Sequence, residues 1–185
     1  MIERKSVTVT NVQGALEWLW PFFNDAVEIH NFHADLTVEG QVIEVDMASS
    51  PGGGFEGGYG STRLSTVLPA KTEFEFVVYP DDFLNKIGKL FGMEDTQLGY
   101  PGFDDKLVVK TTNKQLLQNL FAEKEIRETF STLSGFSLKC HVDHNKQHHL
   151  FELEMQRAAT NYTEFAKLLS GYMNVYYKID QRATV

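Results

Sequence analysis

The sequence predicts an α+β domain with a largely antiparallel sheet and helices packed mainly on one face, and three observations carry that prediction. Several short runs alternate apolar and polar residues with period two, each bounded by Gly, Pro, Asn or Asp. Between and after them lie segments in which apolar residues return every three or four positions, as on one face of a helix. With 185 residues and a 42% hydrophobic composition, the chain can bury about 70% of its unfolded surface in one core, so a single domain over residues 1–185 is expected.

Residues 6–10 read either as a short strand or as a frayed terminus, at the start of an N-terminal helical segment over residues 1–30. Val12, Leu16, Leu19 and Phe23 then recur at helical spacing, and Pro21 inside that stripe predicts that the helix breaks or restarts there. Trp18 and Trp20 fall on either side of the stripe, so at least one is expected to stay exposed as a contact point. A hairpin follows. Phe32, Ala34, Leu36 and Val38 share one face, and after Glu39-Gly40 so do Ile43, Val45 and Met47.

Residues 49–61 hold six of the fourteen glycines. No Gly-Lys-Ser/Thr and no immediate helix follows them, which excludes a phosphate-binding loop or a dinucleotide fingerprint. A connecting loop explains the glycines. Phe55 and Tyr59 within it are candidate ligand or partner contacts, because binding residues concentrate on loops. Two strands are expected at 62–67 and 72–79, then a helix opened by Pro80-Asp81-Asp82, carrying Phe83, Leu84, Ile87, Leu90 and Phe91 and stopped near Gly92.

In the middle of the chain, Gly99-Tyr100-Pro101-Gly102 predicts a tight turn feeding a strand in which Phe103, Leu107 and Val109 share a face. Asp104 is expected to hold that turn by a hydrogen bond to backbone rather than to act in catalysis. Asn113 caps a helix carrying Leu116, Leu117, Leu120 and Phe121, and a second helix carries Ile126, Phe130 and Leu133 up to Gly135. Phe136, Leu138, Cys140 and Val142 alternate, as do His149, Phe151, Leu153 and Met155, which predicts a hairpin. A C-terminal helix over 161–179 carries Tyr162, Phe165, Leu169, Tyr172, Tyr176 and Ile179 in a seam of fewer than three heptads. That length favours packing on the chain's own sheet over a homodimer seam, and a monomer or homodimer is expected.

Charge and cysteine content narrow the function. The 25 acidic residues outnumber 17 basic ones for a net charge of −8, and the basic residues do not cluster along the sequence, so neither nucleic acid nor an anionic membrane is an expected partner. The single Cys140 precludes an intrachain disulfide. No apolar run matches a signal peptide or a membrane span, and a cytoplasmic, soluble protein is expected.

His141, His144, His148 and His149 lie within nine residues of the second hairpin. A turn centred on His144-Asn145 sets His141 opposite His148; one centred on Asn145-Lys146 sets Asp143 there instead, and the apolar pattern fits both. In the first register His141, His148 and Glu152 share a face, a candidate site for a divalent metal ion with an open position. Solvated polar residues around a turn are the simpler reading. No other cofactor is expected. Cys140 on the apolar face reads as an inert core residue, and a catalytic pair with His149 lacks an orienting group and an oxyanion site.

Val38-Glu39-Gly40-Gln41-Val42-Ile43-Glu44-Val45, Ser61-Thr62-Arg63-Leu64 and the Gly99–Val109 stretch with its Gly-x-x-x-Phe-Asp turn, followed by two short helices, together resemble an uncharacterised bacterial domain of unknown function. The resemblance covers most of residues 30–178. It implies an α+β architecture and carries no catalytic residue. Some relatives of that type carry membrane-spanning segments, and this chain departs from them. The expected function is therefore non-catalytic, the binding of a protein or a small apolar ligand, with Phe55, Tyr59, Trp18 and Trp20 as contacts. The alternative is a metal-dependent, hydrolase-like enzyme centred on His141, His148 and Glu152.

Overall fold

A computed structural model describes residues 4–24, 31–50, 59–69, 74–81, 93–143, 148–159 and 161–183. The fold is α+β with largely antiparallel strands, and the chain divides into two compact units, residues 1–66 with 153–170 and residues 67–152 with 171–185.

In the first unit, strand β1 (Lys5–Val9) leads into helix α1 (Val12–Asn24), followed by strands β2 (Asn31–Val38), β3 (Gln41–Ser50) and β4 (Tyr59–Val67), in sheet order β1-β2-β3-β4. The sequence left residues 6–10 open between strand and frayed end. They form β1, paired in parallel with β2 so that Val7 lies opposite Leu36. Asn11 starts α1 by accepting the Gly14 N–H at 2.9 Å. The helix does not break at Pro21 as predicted but runs through it to Asn24. Pro21 sits in the last turn, where its missing N–H removes one bond, and the burial of Ala15, Leu16 and Leu19 holds the rest in place.

The expected hairpin forms. Glu39 and Gly40 both adopt positive φ, 53° and 83°, the geometry of a two-residue turn matched to strand twist. Alternation then buries Phe32, Ala34, Leu36, Val38, Ile43, Val45 and Met47 on one face. The segment after β9 seats against β4 at Gly60, where a Cβ would stand 2.5 Å from the Ala158 nitrogen. Thr62 stitches the same contact, donating to Arg157 O at 2.9 Å and accepting from Ala159 N at 2.8 Å.

The second unit contains β5 (Phe76–Pro80), β6 (Glu94–Asp95), helix α2 (Pro101–Asp104), β7 (Leu107–Thr111), α3 (Lys114–Leu120), α4 (Lys124–Ser131) and β8 (Phe136–Asp143). Strand β9 (His148–Met155) and helix α5 (Tyr162–Ala183) contribute to both units. The strand order here is β9-β8-β5-β7-β6. Central β5 is buried on both faces, Phe76 and Val78 on one and Val77 and Tyr79 on the other, where Met93 and Val108 pack. The expected helix after Asp81 and the glycine-rich loop up to Gly58 lie outside the described residues. The sequence did not anticipate β6, whose two residues pair with β7.

The central stretch differs from expectation. Phe103 and Asp104 belong to a one-turn helix, and the strand begins at Leu107. Pro101 presets the helical φ at the first position, and the Asp104 carboxylate collects three N–H groups: Leu98 at 2.9 Å, Gly99 at 2.8 Å and Tyr100 at 2.8 Å. Phe103 turns inward onto Phe121, ring centroids 4.9 Å apart. Asn113 caps α3 as expected, accepting from Leu116 N at 3.1 Å.

In α5 the seam residues Phe165, Leu169, Tyr172, Tyr176 and Ile179 are buried within the single chain, together with Leu168, Met173 and Val175. Asn161 accepts the Glu164 N–H at 3.1 Å, while the Glu164 carboxylate turns to Arg157 instead of closing a capping box. No helix among the described residues is long and apolar enough to cross a membrane.

Candidate functional site

The residues singled out in the sequence are distributed unevenly. Phe55 lies outside the described residues, and of Tyr59 only the backbone, opening β4, is described. Trp18 is half-buried with its ring 5.1 Å from Phe22. Trp20 is the exposed one at 45%, standing edge-on to Tyr162 at 4.5 Å.

His141 and Glu152 meet. The imidazole Nε2 lies 2.5 Å from Glu152 Oε2, and Nδ1 lies 3.3 Å from Val142 O, so both ring nitrogens face acceptors. The hydrogen bond that His141 donates to Glu152 raises its pKa above the usual 6.5, against the opposing effect of burial. His148 does not complete the set: among the described residues no three His, Cys, Asp or Glu side chains are grouped to hold a metal ion. The turn that would fix the hairpin register, residues 144–147, lies outside the described residues. Cys140 is fully buried, its Sγ 3.3 Å from Phe74 O, and burial pushes its thiol up to about 12. It is an inert core residue, as its place on the apolar face predicted.

The second unit holds a cleft of about 390 Å³ between α4 and the segment running from Tyr100 to Lys106. Its walls are made rigid from below. Asp104 fixes the turn, Tyr100 Oη donates to Gln118 O at 3.2 Å, and Gln118 Nε2 donates to Leu98 O at 2.8 Å. The Arg127 guanidinium lies over the Tyr100 ring, 4.0 Å from the centroid, and its Nη1 donates to Phe121 O and Ala122 O, both at 2.6 Å. Those carbonyls belong to the end of α3, so Arg127 ties two helices and the aromatic wall together. Lys106 and Lys124 also line the cleft, with Ser131 and Thr132 at one end. Lys124 Nζ pairs with Glu128 Oε1 at 3.2 Å. The arrangement offers an aromatic face, hydroxyls and a cationic rim within a volume typical of a small-molecule site.

No protein-family model matches the chain, and no curated protein matches its sequence. Among solved structures, the fold is similar to the crystal structure of the mycobacterial trehalose monomycolate transport factor A, with a TM-score of 0.50. The similarity covers 82% of this chain and 71% of that one at 10% sequence identity. At that identity the likeness is one of fold.

The cleft was not read from the sequence. Tyr100, Lys106, Lys124 and Arg127 are spread over 28 positions, and only the packing of α2 on α4 gathers them. One signal was available: Tyr100 is an aromatic flanked by Gly99 and Pro101 in a turn, and binding residues concentrate on such loops.

Proposed function

We propose that this chain is a non-catalytic binding domain whose ligand contacts include the cleft between α2 and α4. The observation that carries this reading is the braced Tyr100–Arg127 wall. It is a preformed recognition surface, held by hydrogen bonds on both sides, and preorganisation of that kind lowers the ordering cost of binding. Among the described residues, Asp104 is held in its turn and Cys140 in the core, so neither is presented to the cleft. The similar structure is by name a transport factor, which supports a role in carrying or presenting a molecule. Exposed Trp20 is a further contact of this domain. A bacterial, cytoplasmic protein related to the uncharacterised domain type with the Gly-x-x-x-Phe-Asp turn belongs to the same reading.

A native mass spectrum of protein purified without a His-tag or added metal tests the proposal. An organic adduct on the wild type that is lost in Tyr100→Ala is expected; an adduct equally retained by Tyr100→Ala counts against the cleft. The metal-dependent hydrolase keeps one observation in its favour, the His141–Glu152 contact. It requires a mass excess of one metal ion per chain that disappears in Glu152→Gln.

A further inference from the structure

Five arginines occur in the sequence, and the side chains of four are described. Arg4 meets Asp35 at 2.5 Å, Arg63 meets Asp46 at 3.6 Å, and Arg157 meets Glu164 through both guanidinium nitrogens. Arg127 alone forms no ion pair with a described residue. Its Nη1 is satisfied by two carbonyls, and its ring contact is with Tyr100, which brings no charge. Nη2 and Nε are left without a described hydrogen-bond partner, on a half-buried guanidinium at the wall of a cleft.

The neighbouring charges do not compensate it. Glu128 lines the same cleft but is engaged by Lys124. Lys106, exposed on the opposite lip, has no described ion pair either. Among the described residues the cleft therefore carries three cations against one carboxylate, an excess of two positive charges in a chain whose net charge is −8. A planar guanidinium with a vacant edge suits oxygens of a carboxylate or phosphate bonded side by side, and an ammonium suits them as a point charge.

Building on the cleft as the binding site, we propose that its ligand is a small organic molecule bearing an oxyanion, carboxylate or phosphate, bonded by Arg127 and Lys106 while its apolar part lies against Tyr100. The aromatic wall sets the apolar contact, the vacant guanidinium edge sets the charge, and the volume sets the size. Ser131 supplies a hydroxyl to the polar end of the same molecule.

The test is a titration of ¹⁵N-labelled full chain, followed by amide shifts, with four probes: phenyl phosphate, phenylacetate, inorganic phosphate and the neutral benzyl alcohol. Phenyl phosphate or phenylacetate should move the amides of Tyr100–Lys106 and Lys124–Thr132 and bind about tenfold more tightly than benzyl alcohol, equivalent to about 1.4 kcal/mol. Whichever of the two binds more tightly identifies the oxyanion. Inorganic phosphate binding as well as phenyl phosphate would overturn the organic part of the proposal and leave a bare anion site. Lys106→Glu, an exposed change that leaves folding intact, should weaken both aryl anions about tenfold and leave benzyl alcohol unaffected. Arg127→Lys keeps the charge but removes the fork, and should weaken them by a smaller factor. If benzyl alcohol binds as tightly as the anions, or Lys106→Glu changes nothing, the anion inference falls while the cleft stands. If no probe shifts the cleft amides at millimolar concentration, both fall.

Discussion

The polar face of the first unit and the cleft of the second use the same residue types to opposite ends. On the open face of β2, β3 and β4, strand pairing sets His33 opposite Asp46, Asp46 opposite Arg63 and Asp35 opposite Glu44. Two carboxylates directly across a strand pair repel. Arg4 reaches over them, 2.5 Å from Asp35 and 3.7 Å from Glu44, and His33 Nδ1 lies 2.6 Å from Asp46. Every charge there meets another within the chain. In the cleft, Arg127 and Lys106 meet none among the described residues. A charge compensated internally stabilises the sheet modestly and is closed to a ligand, whereas an uncompensated one on a rigid wall is poised for an outside partner.

That contrast can be broken or sharpened by substitution. Asp104→Ala removes the acceptor of three backbone N–H groups beneath the cleft and should cost about 3 kcal/mol, read as a lower urea midpoint with loss of phenyl phosphate binding. A change below about 1 kcal/mol would mean that the turn stands without its carboxylate. Glu152→Gln should cost about 2 kcal/mol, less than for a fully buried pair because His141 is partly exposed.

The second loss depends on pH. His141 has a raised pKa in the folded state, so its pairing stabilises fully below about pH 6.5, the unfolded value, and the contribution fades as pH rises through the folded pKa. The difference in Tm between wild type and Glu152→Gln should therefore shrink from pH 6 to pH 9. A constant difference would assign Glu152 a role independent of the imidazole charge.

Smaller effects probe the sheet face itself. Arg4→Ala should cost about 0.5 kcal/mol, since the Arg4 side chain is 41% exposed and exposed pairs contribute little. High salt should reduce that cost further. Lys106→Glu should shift stability by less than about 0.5 kcal/mol while changing anion binding, which separates the cleft's charges from those of the sheet. Cys140 should react with iodoacetamide only after unfolding.

Much of the fold was legible where one residue's neighbours in sequence are also its neighbours in space. Alternation at Phe32–Val38 and Ile43–Met47 reported the buried face directly, Glu39-Gly40 reported the turn, and Asn113 reported a cap. Pro21 misled because its rule concerns one lost bond, and the buried face of α1 outweighs that loss. Phe103 misled because an inward-facing residue reads alike in a strand and in a single helical turn; the three N–H groups gathered by Asp104 decide it. The cleft was illegible for a different reason. Lys106 and Arg127 are ordinary surface residues in sequence, and a charge is known to lack a partner only once the neighbours that might have supplied one are placed.

The seam at Gly60 and Thr62 has a temporal consequence. Thr62 waits for Arg157 and Ala159, 95 and 97 residues later, and the first unit needs residues 153–170 to be complete. On the ribosome, the strands β1–β4 emerge long before that segment exists, with the whole of residues 67–152 still to be made. The first unit therefore stays incomplete until residues 153–170 have left the exit tunnel, and the nascent chain passes through an aggregation-prone interval of that length.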